Sequence, residues 1–366
     1  MKIFIDATSI TNYPSGVSIY SLNILKGIVL YPKFKLTILY NYKLNKDHEF
    51  FSIIKRTNVT ILKKNINSIG PIRDIKYNLI KALINSHDLY HCLSSYLPLI
   101  KIKIPTVVTI HDLKHLRNNN LIGCFLKSFY IKILLKNSIK KSNYLIAISK
   151  FTYRDIKTFL SNPNKVQIIT EGVNHKNINL NNINKIFNFQ SKQYIFCLGN
   201  NVVNKNFKTI INCFKKFRKI NKNSQLVIAG KSTKKLSTNL SDEIKDSVHL
   251  LDQITNDQLH SLYYYSSCFL YPSLYEGFGL PILEAMTFKC PVITTENSAC
   301  SETAGNAAIL VDPLNEKQIL NSLIKIINDK NISNQLIDLG LINIKKYSWQ
   351  NATNMTKMLY KKILAK

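Results

Sequence analysis

The sequence is short of acidic residues. Its 366 residues include 21 Asp and Glu but 50 Lys and Arg, which gives a formal net charge of +29. An excess of this size attracts anionic partners, so nucleic acid, anionic membranes and anionic substrates are all candidates. The chain is also rich in Lys, Asn and Ile together. That combination is typical of nucleotide-composition bias, and we therefore assign only part of the charge to function.

The cysteines lack the spacing of a disulfide framework or a zinc site. There are seven, with no C-x-x-C pair, and most lie in apolar runs. We expect them to be reduced core residues of a cytosolic protein. Two histidine pairs have a spacing of four residues, His87 with His91 and His111 with His115. Each pair begins at the end of a predicted strand and lacks a third ligand, so no metal site is expected.

Long apolar runs and a signal peptide are also missing. No run reaches the roughly 18 apolar residues that a membrane-spanning helix needs. The first residues, Met1–Asp6, lead directly into a predicted strand and lack the charged, apolar and cleavage regions of a signal peptide. We therefore expect a cytoplasmic protein, for which peripheral contact with the inner face of an anionic membrane stays open.

What the sequence does contain is a regular alternation of apolar β-like runs with longer amphipathic segments. This pattern predicts βαβ units and parallel sheets, and the chain length favours two domains. An Asn- and Lys-rich segment without periodicity, residues 175–192, is the predicted linker. The predicted strands are Ile3–Asp6, Leu36–Tyr40, Val59–Leu62, Leu89–Cys92, Thr106–His111, Tyr144–Ser149, Val166–Ile169, Gln193–Leu198, Leu226–Ala229, Val248–Leu250 and Cys268–Tyr271.

One predicted helix combines apolar and basic residues. Leu121–Ser142 carries aromatic and aliphatic residues flanked by lysines, a composition that suits an anionic interface. A core helix with a solvated lysine face is the simpler interpretation. The only tryptophan, Trp349, precedes a predicted final helix, Gln350–Leu364, and is interpreted as a packing anchor.

The stretch around which the chain is organised follows the strand Cys268–Tyr271. It places Glu276 at a glycine-rich turn and Glu284 about one turn into the next helix, with seven residues between them. Glycines let a ligand approach the backbone closely, and the N-terminus of a helix favours an anion. Carboxylates accept hydrogen bonds from hydroxyl groups. A site that binds a phosphate with backbone amides and hydroxyl groups with two carboxylates suits a sugar nucleotide. An acidic cap on an ordinary βα unit has the same sequence pattern.

From Glu276 to Glu284 the sequence resembles the E-x7-E motif of glycosyltransferase family 4. The segments Pro291–Thr294 and Ala304–Pro313, with Ser298 between them, are also similar to that family. The resemblance implies the α/β fold called GT-B, in which two Rossmann-like domains face each other across a cleft and a C-terminal helix crosses back to the first domain. It implies an acceptor-binding domain at residues 1–174, the linker at 175–192, a nucleotide-sugar-binding domain at 193–347 and the crossover helix at 348–366.

The resemblance also implies roles for individual residues. His111 would bind the transferred sugar, Glu276 the hydroxyls of the donor sugar, and Glu284 the ribose hydroxyls. Lys205 and the amides of Gly279 and Leu280 would hold the leaving diphosphate. The predicted catalytic residues are thus His111 and Glu276, and the predicted donor-binding residues are Gly16, Gly199, Lys205, Gly230, Gly277, Phe278, Gly279, Leu280 and Glu284.

Two departures from the family pattern concern phosphate binding. The first loop, Asp6–Tyr20, resembles that of mannosyltransferase-like members of the family, but Ser18 and Ile19 stand where those sequences carry a second glycine and an arginine. In the loop that contains Lys205, either Asn200 or Asn204 stands where the family has an arginine. One positive charge is therefore missing from the expected diphosphate clamp.

The function implied is the retaining transfer of a hexose, with mannose favoured, from a GDP- or UDP-sugar to a saccharide or lipid-linked acceptor of the cell surface. The resemblance implies no cofactor, and no Asp-x-Asp motif stands where a metal would bridge donor phosphates. One alternative is a sugar-nucleotide epimerase of the same fold. Another is a non-catalytic polyanion-binding protein, although no recognisable nucleic-acid module is present. Glycoside hydrolysis by the two carboxylates is rejected, because both lie beside a phosphate-type turn.

Overall fold

The computed structural model describes residues 1–13, 15–41, 43–66, 71–117, 125–174 and 194–365. The chain divides into two compact units. Unit 1 comprises Met1–Gly172 with Ser348–Lys366, and unit 2 comprises Val173–Tyr347. The predicted linker and the first residue of the predicted strand Gln193–Leu198 lie outside the described residues.

Unit 1 is built on a seven-stranded parallel sheet with the strand order β3-β2-β1-β4-β5-β6-β7. Strand β1 pairs with β4, although β2 and β3 lie between them in sequence. The direction of winding therefore reverses between β1 and β4. Ligands bind at such a reversal in open α/β sheets. The strands are β1 (Lys2–Asp6), β2 (Lys35–Asn41), β3 (Val59–Lys64), β4 (Leu89–Cys92), β5 (Thr106–Ile110), β6 (Tyr144–Ala147) and β7 (Val166–Ile168).

The helices of unit 1 cover a sheet whose inner strands are almost wholly buried, as parallel sheets require. They are α1 (Gly16–Ile28), α2 (Phe50–Ile53), α3 (Pro71–Leu79), α4 (Lys81–Asn85), α5 (Lys114–Arg117), α6 (Phe125–Lys141) and α7 (Lys150–Lys157). The start of the predicted helix Leu121–Ser142 lies outside the described residues. Ser149 is the N-cap of α7, and its side chain accepts a hydrogen bond from the Thr152 amide at 2.9 Å.

Unit 2 repeats this architecture with six parallel strands in the order β10-β9-β8-β11-β12-β13. The winding reverses between β8 and β11. The strands are β8 (Tyr194–Leu198), β9 (Gln225–Ala229), β10 (Val248–Leu251), β11 (Cys268–Tyr271), β12 (Val292–Thr295) and β13 (Ile309–Val311). The helices are α8 (Phe207–Ile220), α9 (Asn256–Tyr265), α10 (Leu280–Thr287), α11 (Ala299–Ala304), α12 (Glu316–Asn328) and α13 (Lys330–Asn343).

The last helix, α14 (Trp349–Leu364), belongs to unit 1. It lies so close to α1 that a Cβ atom on Gly27 would be 2.3 Å from Cγ2 of Thr353. Trp349 is buried against the ring of Tyr20, as its interpretation as a packing anchor predicts. Two Rossmann-like units and a C-terminal helix that returns to the first of them confirm the predicted fold class.

Candidate active site

The loops at the carboxyl ends of β8 and β9 lie close together. Gly199 has φ +153° and Gly230 has φ +139°. A Cβ atom on Gly230 would be 2.2 Å from the carbonyl oxygen of Gly199, so the close approach of the two loops requires glycine. These two predicted site residues therefore shape the backbone of the site.

Lys205 and Glu276 meet at the ends of β8 and β11. The Lys205 ammonium donates to Glu276 Oε1 at 2.7 Å and also hydrogen-bonds the hydroxyl of Tyr271. Both charged side chains are largely buried, 16% and 18% exposed. Burial and the negative charge of Glu276 raise the pKa of Tyr271, so its hydroxyl keeps its proton. The predicted phosphate ligand and the predicted catalytic carboxylate thus form one ion pair.

Asn204 and Asn200, the two residues that could stand in place of the family arginine, have different surroundings. Asn204 is buried, and its amide donates to the Tyr275 carbonyl at 3.3 Å and lies 3.5 Å from Glu276 Oε1. Asn200 instead accepts from the backbone amide of Lys231 at 3.1 Å. It is therefore Asn204 that lies beside the Lys205–Glu276 pair.

The N-terminus of α10 provides the predicted phosphate-binding turn. Gly279 is its N-cap with φ +113° and supplies no capping side chain. Glu284 is half-buried one turn further, and its Oε2 accepts from the Tyr263 hydroxyl at 3.1 Å. Leu280 is buried as the first residue of the helix. The helix thus presents backbone amides at its start and a carboxylate beyond them.

Phe278 and Gly277, two predicted site residues of this turn, are buried and contribute to packing. Phe278 is buried edge-on against Tyr347, with ring centroids 5.6 Å apart, and its carbonyl accepts from Thr303 at 2.7 Å. Gly277, beside it, is buried as well. The backbone carbonyl of Glu276 accepts from the Ala299 amide at 3.3 Å. These contacts fix the turn relative to α11.

His111 and Gly16 belong to unit 1. His111 follows β5 and is buried; its Nε2 donates to the carbonyl of Leu93 at 2.8 Å, so its Nδ1 faces Glu171 Oε1 at 3.6 Å. The ring of Tyr20 lies edge-on, with centroids 4.8 Å apart. Gly16 is the first residue of α1, where an added Cβ atom would meet nothing within 4 Å. Packing therefore does not demand glycine at this position.

Glu171 is a functional candidate that the sequence analysis missed. It is only 3% exposed, and burial raises its pKa. A buried carboxyl group beside an imidazole orients the ring. The available signal was an acidic residue with a glycine after it, just beyond the last strand of unit 1.

A hydrogen-bonded network joins α14 to the same region of unit 1. His91 Nδ1 is bonded to the Tyr360 hydroxyl, and its Nε2 to Thr109 Oγ1 at 3.0 Å. Thr109 in turn bonds the hydroxyl of Tyr20 at 3.0 Å. Burial lowers the pKa of His91 to about 3, so this imidazole stays neutral.

The first loop of unit 1 is held by side-chain hydrogen bonds. The buried Asp6 carboxylate accepts from Thr8 Oγ1 at 2.7 Å and from the hydroxyls of Tyr77 and Tyr90. Ser18 accepts from the backbone amide of Thr11 at 3.3 Å. Ser18, which stands in place of a family residue, thus orders the loop itself.

The described ranges contain neither a cluster of metal ligands nor a membrane-spanning helix. Within them, no three His, Cys, Asp or Glu residues are grouped so that they could hold a metal ion. No helix among those residues is long and apolar enough to cross a membrane. The six cysteines in the described part of the chain are buried, and no disulfide links them.

Comparison with known proteins covers both units. The family model "Glycosyltransferase Family 4" matches residues 45–177, and "Glycosyl transferases group 1" matches residues 179–340. The O-antigen chain mannosyltransferase RfbU of Salmonella typhimurium is 28% identical over 217 residues, which cover 57% of this chain and 57% of that protein. The O-antigen chain mannosyltransferase B of Escherichia coli is 34% identical over 114 residues, 31% of this chain and 30% of that protein.

The chain thus matches about half and about a third of the length of these two curated relatives. Among solved structures, sucrose-phosphate synthase from Thermosynechococcus elongatus has the same fold, with a TM-score of 0.78 at 14% identity over 100% of this chain and 99% of that one. With one family model on each unit and the E-x7-E pair on its glycine turn, the chain belongs to the group 1 glycosyltransferases of family 4.

Proposed function

We propose that the protein is a retaining glycosyltransferase that moves a hexose from a nucleoside diphosphate sugar to a saccharide or lipid-linked acceptor. The observation that carries this proposal is the Lys205–Glu276 ion pair beside the N-terminus of α10, with Glu284 one turn along that helix. A cation and helix amides suit a diphosphate, and the two carboxylates suit hydroxyl groups.

The mechanism begins with an exchange of partners at Lys205. Its ammonium is neutralised by Glu276, so a bound diphosphate would compete with Glu276 for it. Once Lys205 turns to the diphosphate, Glu276 becomes available to accept hydrogen bonds from the donor sugar. Binding of the diphosphate thereby releases Glu276 to bind the sugar of the same donor.

Departure of the nucleoside diphosphate is the step that needs charge stabilisation. Lys205 and the amides at Gly279 and Leu280 stabilise the developing negative charge. In comparable sites, one such hydrogen-bond donor stabilises the transition state by about 3 kcal/mol. Glu284 would hold the ribose hydroxyls. We propose that the reaction needs neither a metal ion nor a cofactor, because this cation and these amides already provide for the diphosphate.

In unit 1, we propose that His111 binds the transferred sugar and that the unit binds the acceptor. The Nδ1 atom of His111 faces Glu171, which lies too far for a short hydrogen bond at 3.6 Å. Retention of the anomeric configuration follows the family resemblance. It predicts an α-linked product from an α-linked donor.

Mannose is the sugar that we favour, because the two O-antigen relatives described above are mannosyltransferases by name and the first loop resembles such sequences. A GDP-sugar is therefore the first donor to test, and a UDP-hexose the second. Both relatives act on O-antigen chains by name, which supports a surface polysaccharide or glycolipid as the product. We propose a cytoplasmic enzyme at the inner membrane face, with anionic lipid rather than nucleic acid as the partner of its positive charge.

The test uses the purified chain with GDP-mannose or UDP-hexoses and a lipid extract that contains lipid-linked saccharides. Transfer of labelled sugar to the extract, lost in Glu276→Gln, is the expected result. NMR of the product would report the anomer. Conversion of the nucleotide sugar without any acceptor would favour the epimerase, and no consumption of any donor would overturn the proposal.

A further inference from the structure

An apolar stripe lies on the outer side of α3 and α4. Ile72, Ile75, Leu79 and Leu83 are 62%, 62%, 80% and 40% exposed. Ile72, Ile75 and Leu79 are spaced by three and four residues and therefore lie on one side of α3, and Leu83 lies on the following α4. An ordinary surface helix is polar on its outer side, and an exposed contiguous apolar patch marks an interaction site.

This stripe is not a core face that has lost its partner. The same segment buries a second set of residues, Tyr77, Ile80 and Ile84, in the core that covers the sheet of unit 1. The segment is therefore apolar on two sides, one satisfied within the unit and one exposed. Within the described part of the chain, nothing covers the exposed side.

The neighbouring helix α6 also exposes large apolar side chains. The Asp74 carboxylate of α3 accepts from the Leu99 amide at 2.8 Å and from the Tyr130 hydroxyl of α6, which holds these segments side by side. Phe129 and Ile133 of α6 are 58% and 38% exposed. We call α3, α4 and the exposed residues of α6 the docking face.

The docking face is basic. Lys76 and Lys81 belong to α3 and α4, and Lys136 and Lys140 are exposed on α6. Asp74 is the one acidic residue in the sequence of these three helices, and both of its oxygens are occupied as described above. Anionic surfaces are therefore attracted, and cationic ones repelled.

We infer that the docking face binds an anionic lipid surface. Aliphatic and aromatic side chains enter the boundary between headgroups and acyl chains, while lysines pair with anionic headgroups. A symmetric dimer through this face would set its lysines against those of a second copy, which disfavours that occupant. This lipid binding deepens the proposed function, because it would bring the acceptor-binding unit to a lipid-linked acceptor. Only that use of the binding rests on the proposed function.

The experiment measures sedimentation of the full chain with vesicles of phosphatidylcholine alone or mixed with phosphatidylglycerol. The test variant is Ile75→Glu with Leu79→Glu. The control is Leu314→Glu with Ile342→Glu, which places the same charges at two residues of unit 2 that are 69% and 57% exposed. We expect the wild type and the control to bind the mixed vesicles, and the test variant to bind about tenfold more weakly or worse.

A folding defect is separated from lost binding by circular dichroism and the melting temperature, which the test variant should keep. Charge reversal of Lys136 and Lys140 provides a second variant, which should weaken binding to mixed vesicles only. Equal binding of test and control variants would overturn the inference. So would a wild-type dimer that the test variant dissociates while neither protein binds vesicles, since the face would then join two copies.

The outcome is independent of the transferase proposal. Glu276→Gln should bind vesicles as the wild type does while it loses transfer. Transfer without vesicle binding would leave the proposed function intact and remove the docking face. Vesicle binding without transfer would do the reverse.

Discussion

At the scale of single residues, the site depends on one partly buried ion pair. Lys205 and Glu276 are 71 residues apart in sequence and 2.7 Å apart in the fold. Removing one partner of such a pair leaves the other charge without compensation, whereas an exposed pair contributes little. A bound diphosphate would also compete with Glu276 for the ammonium group of Lys205.

Substitution of Glu276 by Gln tests this competition. Turnover should fall roughly tenfold to a thousandfold, since a neutral amide holds the sugar hydroxyls and their developing charge less well. The affinity for the free nucleoside diphosphate should stay the same or rise, because Lys205 has lost its rival anion. Steady-state kinetics and isothermal titration calorimetry measure the two effects.

The matched control is Glu316→Gln, which removes a carboxylate from another lysine pair at 2.7 Å, the more exposed Lys216–Glu316. Neither turnover nor affinity should change in this control. Wild-type turnover by Glu276→Gln would remove the carboxylate from the mechanism.

Glu171 makes a prediction about pH. Burial raises its pKa above the ordinary value of 4.5, so the folded state holds its proton more tightly than the unfolded state. Its contribution to stability is complete below pH 4.5 and is lost as the pH rises through its folded pKa. Glu171→Gln should remove this loss.

The measurement is the free energy of unfolding of both proteins between about pH 4 and pH 7. The difference between them should move in favour of Glu171→Gln as the pH rises. The comparison is needed because His91 acts in the opposite sense: its pKa of about 3 makes the folded state lose stability as the pH falls below the ordinary value of 6.5. A difference that is constant with pH would contradict the account of Glu171.

At the scale of elements, the sequence predicted long, periodic segments well. Helix α14 ends at the predicted Leu364 and begins one residue before its predicted start, and the short strands β4 and β11 have the predicted ends. The helices α2, α4 and α5 were missed, because four or five residues contain too little periodicity to be recognised. The exposed stripe of α3 was also missed, since apolar residues on two sides of a helix look like a core helix in sequence.

The contact between α1 and α14 supports a stability prediction. Gly27→Ala would place its Cβ atom 2.3 Å from Thr353, and such overpacking costs about 1–3 kcal/mol. Chemical denaturation of the variant should show this loss. Thr353→Ala in the same chain should restore part of it, because the closest atom, Cγ2, is gone.

Gly16→Ala is the control in the same helix. Its Cβ atom would meet nothing within 4 Å, so we expect no loss and a gain of up to about 1 kcal/mol from helix propensity. Equal stability of Gly27→Ala and Gly16→Ala would show that the two helices separate easily. The close packing of α14 would then not anchor it to unit 1.

At the scale of the whole molecule, the fold class followed from alternation and motif, and the comparisons confirm it. The site was predicted as far as the motif residues reach, at Glu276, Glu284 and Lys205. The partners Tyr271, Tyr263 and Asn204 could not be assigned, because the contacts depend on strand order. The winding reversal sets β8 beside β11, although β9 and β10 lie between them in sequence.

The most direct test of the account is the melting temperature of the wild type and of Lys205→Ala with GDP, UDP and their sugar conjugates. A ligand that binds only the folded state raises this temperature by mass action, even without an acceptor. We predict a rise with GDP or UDP in the wild type and the loss of most of it in Lys205→Ala. No rise with any nucleotide, or an equal rise in both proteins, would contradict the donor site at Lys205 and Glu276.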